Sequence, residues 1–370
     1  MKYKVDKTIR PAYLQIYNQI KEDIISGVLE HNAKLPSKRL LAAETNTSTV
    51  TVEHAYGLLT DEGYVEARER SGYFVIFKSS DGFSVAEREI AKPSPQPLHS
   101  HSYPDFPFSV LSKTMRNVLA VYGERILEQS PGEGCVELRE ALARYLARNR
   151  GMHITVDQIV IGSGAEYLYG LIIELLGRER IYGIEDPSYE KIQQVYRAAE
   201  VPLQSLKLSH DGIDSTALAN TNANVLHTTP YISFPSGVTA SASKRFEYIR
   251  WMKQGNRYII EDDFESEFSV STKPEDTLFS LSGSEDVIYM NSFSKTISPA
   301  LRVGYMVLPK SLVAPFRQRL GFYACTVPTF EQLVIASLLN NGDFERNINR
   351  VRRKLRKALS EHSSPLVKSL

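Results

Sequence analysis

Two serines, a lysine and an arginine lie within one short stretch of the chain, at Ser292, Ser294, Lys295 and Arg302. Apolar runs that are typical of strands precede and follow this stretch, which indicates a connecting loop. Serine hydroxyls, backbone N–H groups and a two-pronged guanidinium are suited to hold a phosphate. A partly dry amine near other cations loses its proton easily and can condense with an aldehyde to form a Schiff base. A surface turn whose lysine has no chemical role is the alternative, and the loop alone favours neither.

Four polar segments come directly after predicted strands, at 162–166, 185–189, 230–237 and 261–265. From residue 106 onward, helical patterns alternate with short apolar runs. This alternation predicts an α/β fold with a mostly parallel sheet and helices on both faces. Ligands bind at the carboxyl ends of the strands in such sheets. We therefore expect the four segments to meet at one edge of the sheet.

These segments offer groups with binding chemistry, each with a plainer alternative. Ala165 and Glu166 open a predicted helix, whose exposed N–H groups and positive end attract an anion; a tight turn without a ligand is the alternative. Tyr189 either presents its ring at the sheet edge or fills the core. Asp262 and Asp263 are either solvated acids or include the carboxylate that keeps a pyridine nitrogen protonated.

The first part of the chain has the pattern of three short helices and two strands. Apolar residues recur at helical spacing over residues 14–25, Ser37 is suited to cap a second helix, and Ser48 is suited to cap a third. Two strand-like runs around a basic turn follow at 64–75. Two helices joined by so tight a turn are typical of a helix-turn-helix, whose second helix enters the major groove of DNA. A small helical adaptor is the alternative.

Length and composition limit the classes of protein that the chain fits. With 370 residues, 42% apolar and 24% charged, it suits a small module plus a large globular domain. The sequence predicts neither a membrane span nor a secretory signal. Cys135 and Cys325 lack metal-ligand spacing, which predicts a reducing cytoplasm and no metal site. The net charge of +1 gives no global sign of nucleic-acid binding.

A change in composition indicates the domain boundaries. Residues 79–104 are rich in proline and polar residues, which predicts an extended linker. We therefore expect a DNA-binding domain at 1–78, a linker at 79–104 and a second domain at 105–370.

The segment around Lys295 resembles the pyridoxal-phosphate lysine motif of fold-type-I aminotransferases, in the form found in the MocR-type subfamily of GntR transcription regulators. The order of the polar segments after the strands is similar to the aminotransferase pattern, and the resemblance covers nearly the whole chain. It implies that Lys295 forms a Schiff base with pyridoxal phosphate. It further implies that Ser292, Ser294 and Arg302 hold the phosphate, that Ala165 and Glu166 add backbone N–H groups, that Tyr189 stacks on the ring, and that Asp262 pairs with the ring nitrogen, with Asp263 as the fallback.

The first 78 residues resemble the GntR winged helix-turn-helix, through the segments 35–42, 48–56, 63–65 and 71–75. The resemblance implies that Lys38 and Arg39 meet phosphates, that Ser48, Thr49 and Thr51 lie at the groove, and that Arg68, Arg70 and Gly72 form the wing contact. Many relatives have an arginine where Thr49 stands. Because arginine is the strongest reader of guanine, the threonine leaves the preferred base open.

Three departures from the family pattern bear on enzymatic activity. Phe264 stands where relatives have a tyrosine that hydrogen-bonds the phenolic oxygen of the cofactor, and Gln129 stands where an aromatic residue is common. The sequence stops at Leu370. We therefore expect it to end before the small C-terminal domain, whose arginine clamps the α-carboxylate of an amino acid, either as a fragment or as a natural truncation. Transamination is left open.

Three functions compete on these grounds. The resemblance favours a DNA-binding transcription regulator whose aminotransferase-like domain binds pyridoxal phosphate and senses the cofactor or a small amino compound. There are two alternatives. One is a catalytically active aminotransferase with an accessory DNA-binding module. The other is a cofactor-free scaffold that only dimerises the DNA-binding domain. We expect a cytoplasmic homodimer on paired half-sites of double-stranded promoter DNA, because fold-type-I sites form between subunits and winged readers usually address paired half-sites.

Overall fold

The computed structural model describes residues 3–6, 11–78, 106–263, 266–269, 276–283 and 285–362, with side chains up to residue 358. The chain divides into two compact units, Met1–Leu98 and His99–Leu370. The predicted linker at 79–104 lies outside the described residues.

The described part of the first unit contains three helices and a two-stranded wing. Its elements are α1 (Ala12–Ile25), α2 (Lys38–Thr45), α3 (Thr49–Asp61) and the antiparallel strands β1 (Val65–Arg68) and β2 (Gly72–Val75). Ser37 caps α2 by accepting a hydrogen bond from the backbone N–H of Leu40, and Ser48 caps α3 by accepting one from that of Thr51. The predicted helices, caps and wing strands are confirmed.

The core of the first unit fixes which side of α3 faces outward. Val52, Ala55, Tyr56 and Leu59 of α3 are buried against the other helices and the wing. The Tyr56 hydroxyl donates to the carbonyl of Pro36 at 2.8 Å, which ties α3 to the start of α2. The opposite side of α3 is therefore presented to solvent.

The second unit is an eight-stranded sheet with helices on both faces. Its helices are α4 (Phe108–Tyr122), α5 (Val136–Arg150), α6 (Ala165–Leu176), α7 (Glu190–Ala198), α8 (Ser215–Asn220), α9 (Ala242–Met252), α10 (Leu278–Leu281), α11 (Lys310–Leu320), α12 (Thr329–Asn340) and α13 (Asp343–His362). Its strands are β3 (Ile159–Gly162), β4 (Tyr182–Asp186), β5 (Leu203–Ser209), β6 (Gly212–Ile213), β7 (Val225–Thr228), β8 (Tyr258–Asp262), β9 (Val287–Ser292) and β10 (Gly304–Val307).

The strands lie in the order β3-β10-β9-β8-β7-β4-β5-β6. β9, β8, β7, β4 and β5 pair in parallel, so the predicted mostly parallel sheet is confirmed. β10 is antiparallel to both of its neighbours. The lysine loop joins β9 to β10 directly, and it is too short for the crossover that parallel neighbours require.

Side chains alternate between two cores on the two faces of the sheet. Ile259 and Tyr289 belong to the core that includes α5 and α12, whereas Ile260 and Met290 belong to the core that includes α6 and α7. Successive residues of a strand point to opposite faces. The same alternation decides where the acids at the end of β8 point.

Candidate functional site

The loop that carries Lys295 is anchored at both ends. Ser292 at the end of β9 pairs with Gly304 at the start of β10, and the N–H of Phe293 donates to the carbonyl of Val303 at 2.9 Å. The Phe293 ring is buried against Phe344, with 5.6 Å between the ring centroids. Lys295 therefore projects from a turn that the sheet and the core hold in place.

The amine of Lys295 is easier to deprotonate than that of an ordinary lysine. Burial lowers its pKa from 10.5 to about 8, although the carboxylate of Asp262 acts in the opposite direction. With such a pKa, about one amine in ten is uncharged at pH 7. The uncharged amine is the form that attacks an aldehyde.

Asp262 and Asp263 are neighbours in sequence but face opposite sides of the sheet. Oδ2 of Asp262 accepts a hydrogen bond from the Tyr169 hydroxyl at 2.5 Å. Oδ2 of Asp263 lies 3.0 Å from Nη2 of Arg150 on the other side. Asp262 is also the acid that acts on the pKa of Lys295. Asp262 is thus the acid whose charge acts on Lys295, whereas the fallback residue Asp263 lies in a buried ion pair with Arg150.

Two side chains that the sequence analysis missed hold Asp262 in place. Besides Tyr169 of α6, His227 of β7 lies with Nε2 3.4 Å from Oδ2 of Asp262. Nδ1 of His227 lies 2.7 Å from the hydroxyl oxygen of Tyr196. A carboxylate only accepts hydrogen bonds, so Nε2 carries the ring proton and Nδ1 accepts from Tyr196.

The sequence contained a weak signal for each missed residue. Tyr169 comes four residues after Ala165, which places both on one face of α6. His227 is a titratable residue inside an apolar strand close to the sheet edge. Neither signal identifies a partner, because 93 residues separate Tyr169 from Asp262 and 35 separate His227 from it.

Arg302 and Glu166, two of the predicted phosphate-binding residues, form an ion pair. Nη2 of Arg302 lies 2.6 Å from Oε2 of Glu166, whose Oε1 lies 2.7 Å from Nζ of Lys191. Lys191 first and Arg302 second hold the pKa of Glu166 below its usual range. A Cβ at Gly164 would come within 3.1 Å of Nη2 of Arg302. Glycine at this position, where φ is +95°, therefore lets the guanidinium lie over the start of α6.

The remaining predicted cofactor residues lie at the start of α6, just before α7 and on the lysine loop. Ala165 and Glu166 form the first turn of α6, where backbone N–H groups have no partner inside the helix. Tyr189 precedes α7, is 39% exposed, and meets the ring of Phe234 edge-on at 6.0 Å between centroids. Ser292 and Ser294 are half-buried on the lysine loop.

Of the two residues that depart from the family pattern, the structure describes Gln129 and leaves Phe264 outside the described residues. Gln129 is exposed on the segment before α5. Phe264 lies outside the described residues, so its predicted place near the cofactor stays a prediction.

The predicted DNA-binding residues of α2 and α3 lie at the start of each helix. Arg39 and Thr49 are exposed, and Nζ of Lys38 lies 2.6 Å from Oε1 of Glu53. The hydroxyl oxygens of Ser48 and Thr51 lie 2.8 Å apart, in the cap of α3. These two hydroxyls, which were predicted to lie at the DNA groove, thus take part in the cap of α3.

The predicted wing residues surround the turn between β1 and β2. Nε of Arg68 lies 2.5 Å from Oε1 of Glu66, and its guanidinium lies 4.5 Å from the centre of the Phe74 ring. Arg70 and Gly72 have φ values of 56° and 107°, which give the turn its shape. Arg70 is exposed.

Metal binding and membrane insertion find no support in the part of the chain that the structure describes. There, no group of three or more His, Cys, Asp or Glu side chains could hold a metal ion. No helix within the same ranges is long and apolar enough to cross a membrane.

Comparison with protein families matches both units. Residues 98–370 match the family of class I and II aminotransferases. Residues 12–75 match the gntR family of bacterial regulatory proteins. The two matches together account for most of the chain, in the order that the sequence predicted.

Three curated relatives share both parts. The chain is 32% identical to the uncharacterized HTH-type transcriptional regulator YdeL of Bacillus subtilis, over 94% of this chain and 77% of the relative. It is 26% identical to the probable rhizopine catabolism regulatory protein MocR of Rhizobium meliloti, over 93% and 74%. It is 25% identical to the HTH-type pyridoxine biosynthesis transcriptional regulator PdxR of Corynebacterium glutamicum, over 92% and 76%.

A solved structure gives the fold of the second unit. The chain matches an archaeal alanine:glyoxylate aminotransferase with a TM-score of 0.60 and 22% identity, over 67% of this chain and 64% of the other. At this identity the likeness shows the aminotransferase fold alone.

Proposed function

We propose that this chain, which belongs to the MocR-type GntR regulators with a class I and II aminotransferase domain, is a transcription regulator that binds DNA and pyridoxal phosphate. Lys295 holds the cofactor covalently, and the regulator senses the cofactor or a small amino compound that reacts with it. One observation carries this proposal: burial lowers the pKa of the half-buried Lys295 amine to about 8, and the carboxylate of Asp262 is the charged group that acts on this amine.

The residues around Lys295 fit this cofactor. The amine matches its aldehyde and the carboxylate of Asp262 matches its ring nitrogen. Arg302 and the first turn of α6 match its phosphate, and the exposed ring of Tyr189 offers a face for stacking. When bound, pyridoxal phosphate supplies an electron-withdrawing ring that stabilises negative charge on an attached carbon.

The chain orients Asp262 from two sides. Tyr169 and His227 both contact Oδ2 of Asp262. Oδ1 takes part in neither hydrogen bond, and we assign it to the ring nitrogen. Because Asp262 can only accept, it selects the tautomer of His227 in which Nε2 donates, and Tyr196 donates to Nδ1 on the other side of the ring.

Arg302 is paired with Glu166 where the resemblance places the phosphate of the cofactor. The Glu166–Arg302 ion pair spans the start of α6 at 2.6 Å, and Lys191 contacts the same carboxylate. To hold the phosphate, Arg302 would exchange Glu166 for it. That exchange would give the sensor a local difference between its two states.

The first unit supplies the DNA-binding part of the proposal. A ligand at Lys295 changes DNA binding only if it has different affinities for two arrangements of the protein. We place this function in a cytoplasmic homodimer on paired half-sites. The name of the relative PdxR, a regulator of pyridoxine biosynthesis, supports cofactor sensing.

Titration of the chain with pyridoxal phosphate tests the proposal. We expect a visible absorption band, and an adduct at Lys295 after borohydride reduction and peptide mass spectrometry. The occupancy at limiting cofactor should rise with pH up to about 8, because the uncharged amine reacts. Lys295→Ala should lose the band and the adduct, whereas Lys310→Ala, at an exposed lysine of α11, should keep both. A colourless protein without an adduct at Lys295 overturns the proposal.

A working aminotransferase is the second candidate, favoured by the match of residues 98–370 to that enzyme family. It requires transfer of the amino group from an amino acid to a keto acid. Turnover that Lys295→Ala abolishes would favour this candidate. Promoter binding that responds to the cofactor, without turnover, would favour the regulator.

A further inference from the structure

α3 presents an apolar side chain where a DNA-reading helix meets base edges. Val50 is the second residue of the helix and is 70% exposed. The residues that α3 buries, from Val52 to Leu59, lie on the opposite side. The first turn of a recognition helix is the part that contacts bases in the major groove. Val50 is therefore placed to touch DNA without any rearrangement of the unit.

The neighbouring side chains of α3 have partners within the protein. Glu53 pairs with Lys38 at 2.6 Å, and the ring of His54 stacks on Tyr13 with 4.1 Å between centroids. The hydroxyls of Ser48 and Thr51 contact each other in the helix cap. Val50 is exposed beside Thr49. Because its side chain is a hydrocarbon, it can make only apolar contacts.

The composition of α3 restricts what the helix can read. Residues 49–61 contain neither lysine nor arginine, which are the residues that read guanine through its O6 and N7 atoms. Exposed cations lie instead at the flanks, at Lys34, Arg39 and Arg70. Cations at the flanks are suited to the phosphates on either side of a groove, which fix position and carry no sequence information.

We infer that Val50 reads thymine, by packing against the C5-methyl group that thymine alone among the four bases presents in the major groove. The inference rests on the proposed DNA-binding function. It gives the helix a base preference in place of the guanine contact that Thr49 cannot make. The preference is moderate, because it depends on burial of one methyl group.

Replacement of thymine by uracil, which lacks only that methyl group, tests the inference. Duplexes that bind the full chain are first selected from a random-sequence pool. Each thymine of the selected site is then replaced by uracil in turn, and affinity is measured by fluorescence anisotropy. At one position in each half-site we expect about a fourfold loss, which is what burial of one methyl-sized group contributes.

Val50→Ala connects the effect to the residue. It should weaken binding to the thymine site about as much as uracil does, and it should remove the difference between thymine and uracil at that position. Val28→Ala, at a valine that is 59% exposed on the loop after α1, is the matched control and should keep the difference. Because both valines are exposed, the circular dichroism spectrum of each variant should equal that of the parent.

The outcomes separate this inference from the function on which it rests. If the affinity is the same with uracil as with thymine at every position of the selected site, the inference is wrong and DNA binding is unaffected. A uracil effect that persists unchanged in Val50→Ala also overturns it. A selection that enriches no sequence overturns sequence-specific DNA binding, and the inference with it.

Discussion

One cation of the first unit and one of the second unit differ in how deeply their ion pairs are buried. Lys38 pairs with Glu53 at the surface, with side-chain exposures of 37% and 59%. Arg150 pairs with Asp263 in the interior, with exposures of 6% and 0%. Exposed pairs contribute about 0 to 1 kcal/mol and are screened by salt. A surface cation can therefore exchange its carboxylate for a DNA phosphate, whereas the buried cation keeps the edge of the sheet together.

Removal of the buried cation should give the largest effect. Arg150→Ala leaves the carboxylate of Asp263 buried, with the Tyr289 hydroxyl and the backbone N–H of Ser266 as its remaining donors among the described residues. We expect a loss of about 3 to 5 kcal/mol in the free energy of unfolding, the usual cost of breaking a buried pair. Urea denaturation followed by circular dichroism measures it.

Arg178→Ala is the matched control for that change. Arg178 also pairs with a carboxylate, that of Glu174, but its side chain is 57% exposed. We expect a much smaller loss in the free energy of unfolding from this variant than from Arg150→Ala, because water and salt screen an exposed pair. Equal losses in the two variants would show that burial does not distinguish the pairs.

The pH dependence that one buried carboxyl adds to stability should be the next largest effect. Burial raises the pKa of both Glu261 and Glu267 from 4.5 to about 7. Between these values the folded chain binds more protons than the unfolded chain, so stability falls as the pH rises from about 4.5 to 7. Each carboxyl contributes on the order of 2 to 3 kcal/mol to this fall.

Glu267→Gln isolates one of the two carboxyls. Since glutamine does not titrate, denaturation at pH 5 and pH 7.5 should show a markedly smaller fall in stability than in the parent. Glu179→Gln, at an exposed position, should leave the fall unchanged. The assignment fails if Glu267→Gln has the same pH profile as the parent.

The smallest effect on stability is expected at the surface pair. Lys38→Ala should leave the free energy of unfolding close to that of the parent, because the pair is exposed and screened by salt. It should weaken DNA binding across sequences and lower the slope of log K against log salt by about 0.9, the value for one phosphate contact. Salt titrations of binding to a selected duplex measure this slope.

Lys21→Ala is the control for the surface pair. Lys21 also pairs with a carboxylate, that of Glu62 at 3.1 Å, but lies on α1, which was not predicted to meet DNA. Its salt slope should equal that of the parent. A parental slope in Lys38→Ala would remove Lys38 from the phosphate contacts.

Local patterns were enough to predict much of the fold. The helix that begins at Ala165 and the mostly parallel sheet were predicted, and Ser37 and Ser48 were predicted as caps. Capping, helical spacing and strand alternation each involve residues a few positions apart. The antiparallel direction of β10 was not predicted, because it depends on which strand is its neighbour.

The sequence by itself determined that Lys295, Asp262 and Arg302 come from segments at one edge of a sheet. The reason is that the order of strands and loops follows from hydrophobic periodicity over a few neighbouring residues. Only the tertiary structure decided which of Asp262 and Asp263 faces the lysine, and that Tyr169 and His227 hold the chosen acid. It also decided that Glu166 forms an ion pair with Arg302, from which it is separated by 136 residues of chain. Such partners meet because packing of the whole core brings distant segments together, and no short-range pattern encodes that meeting.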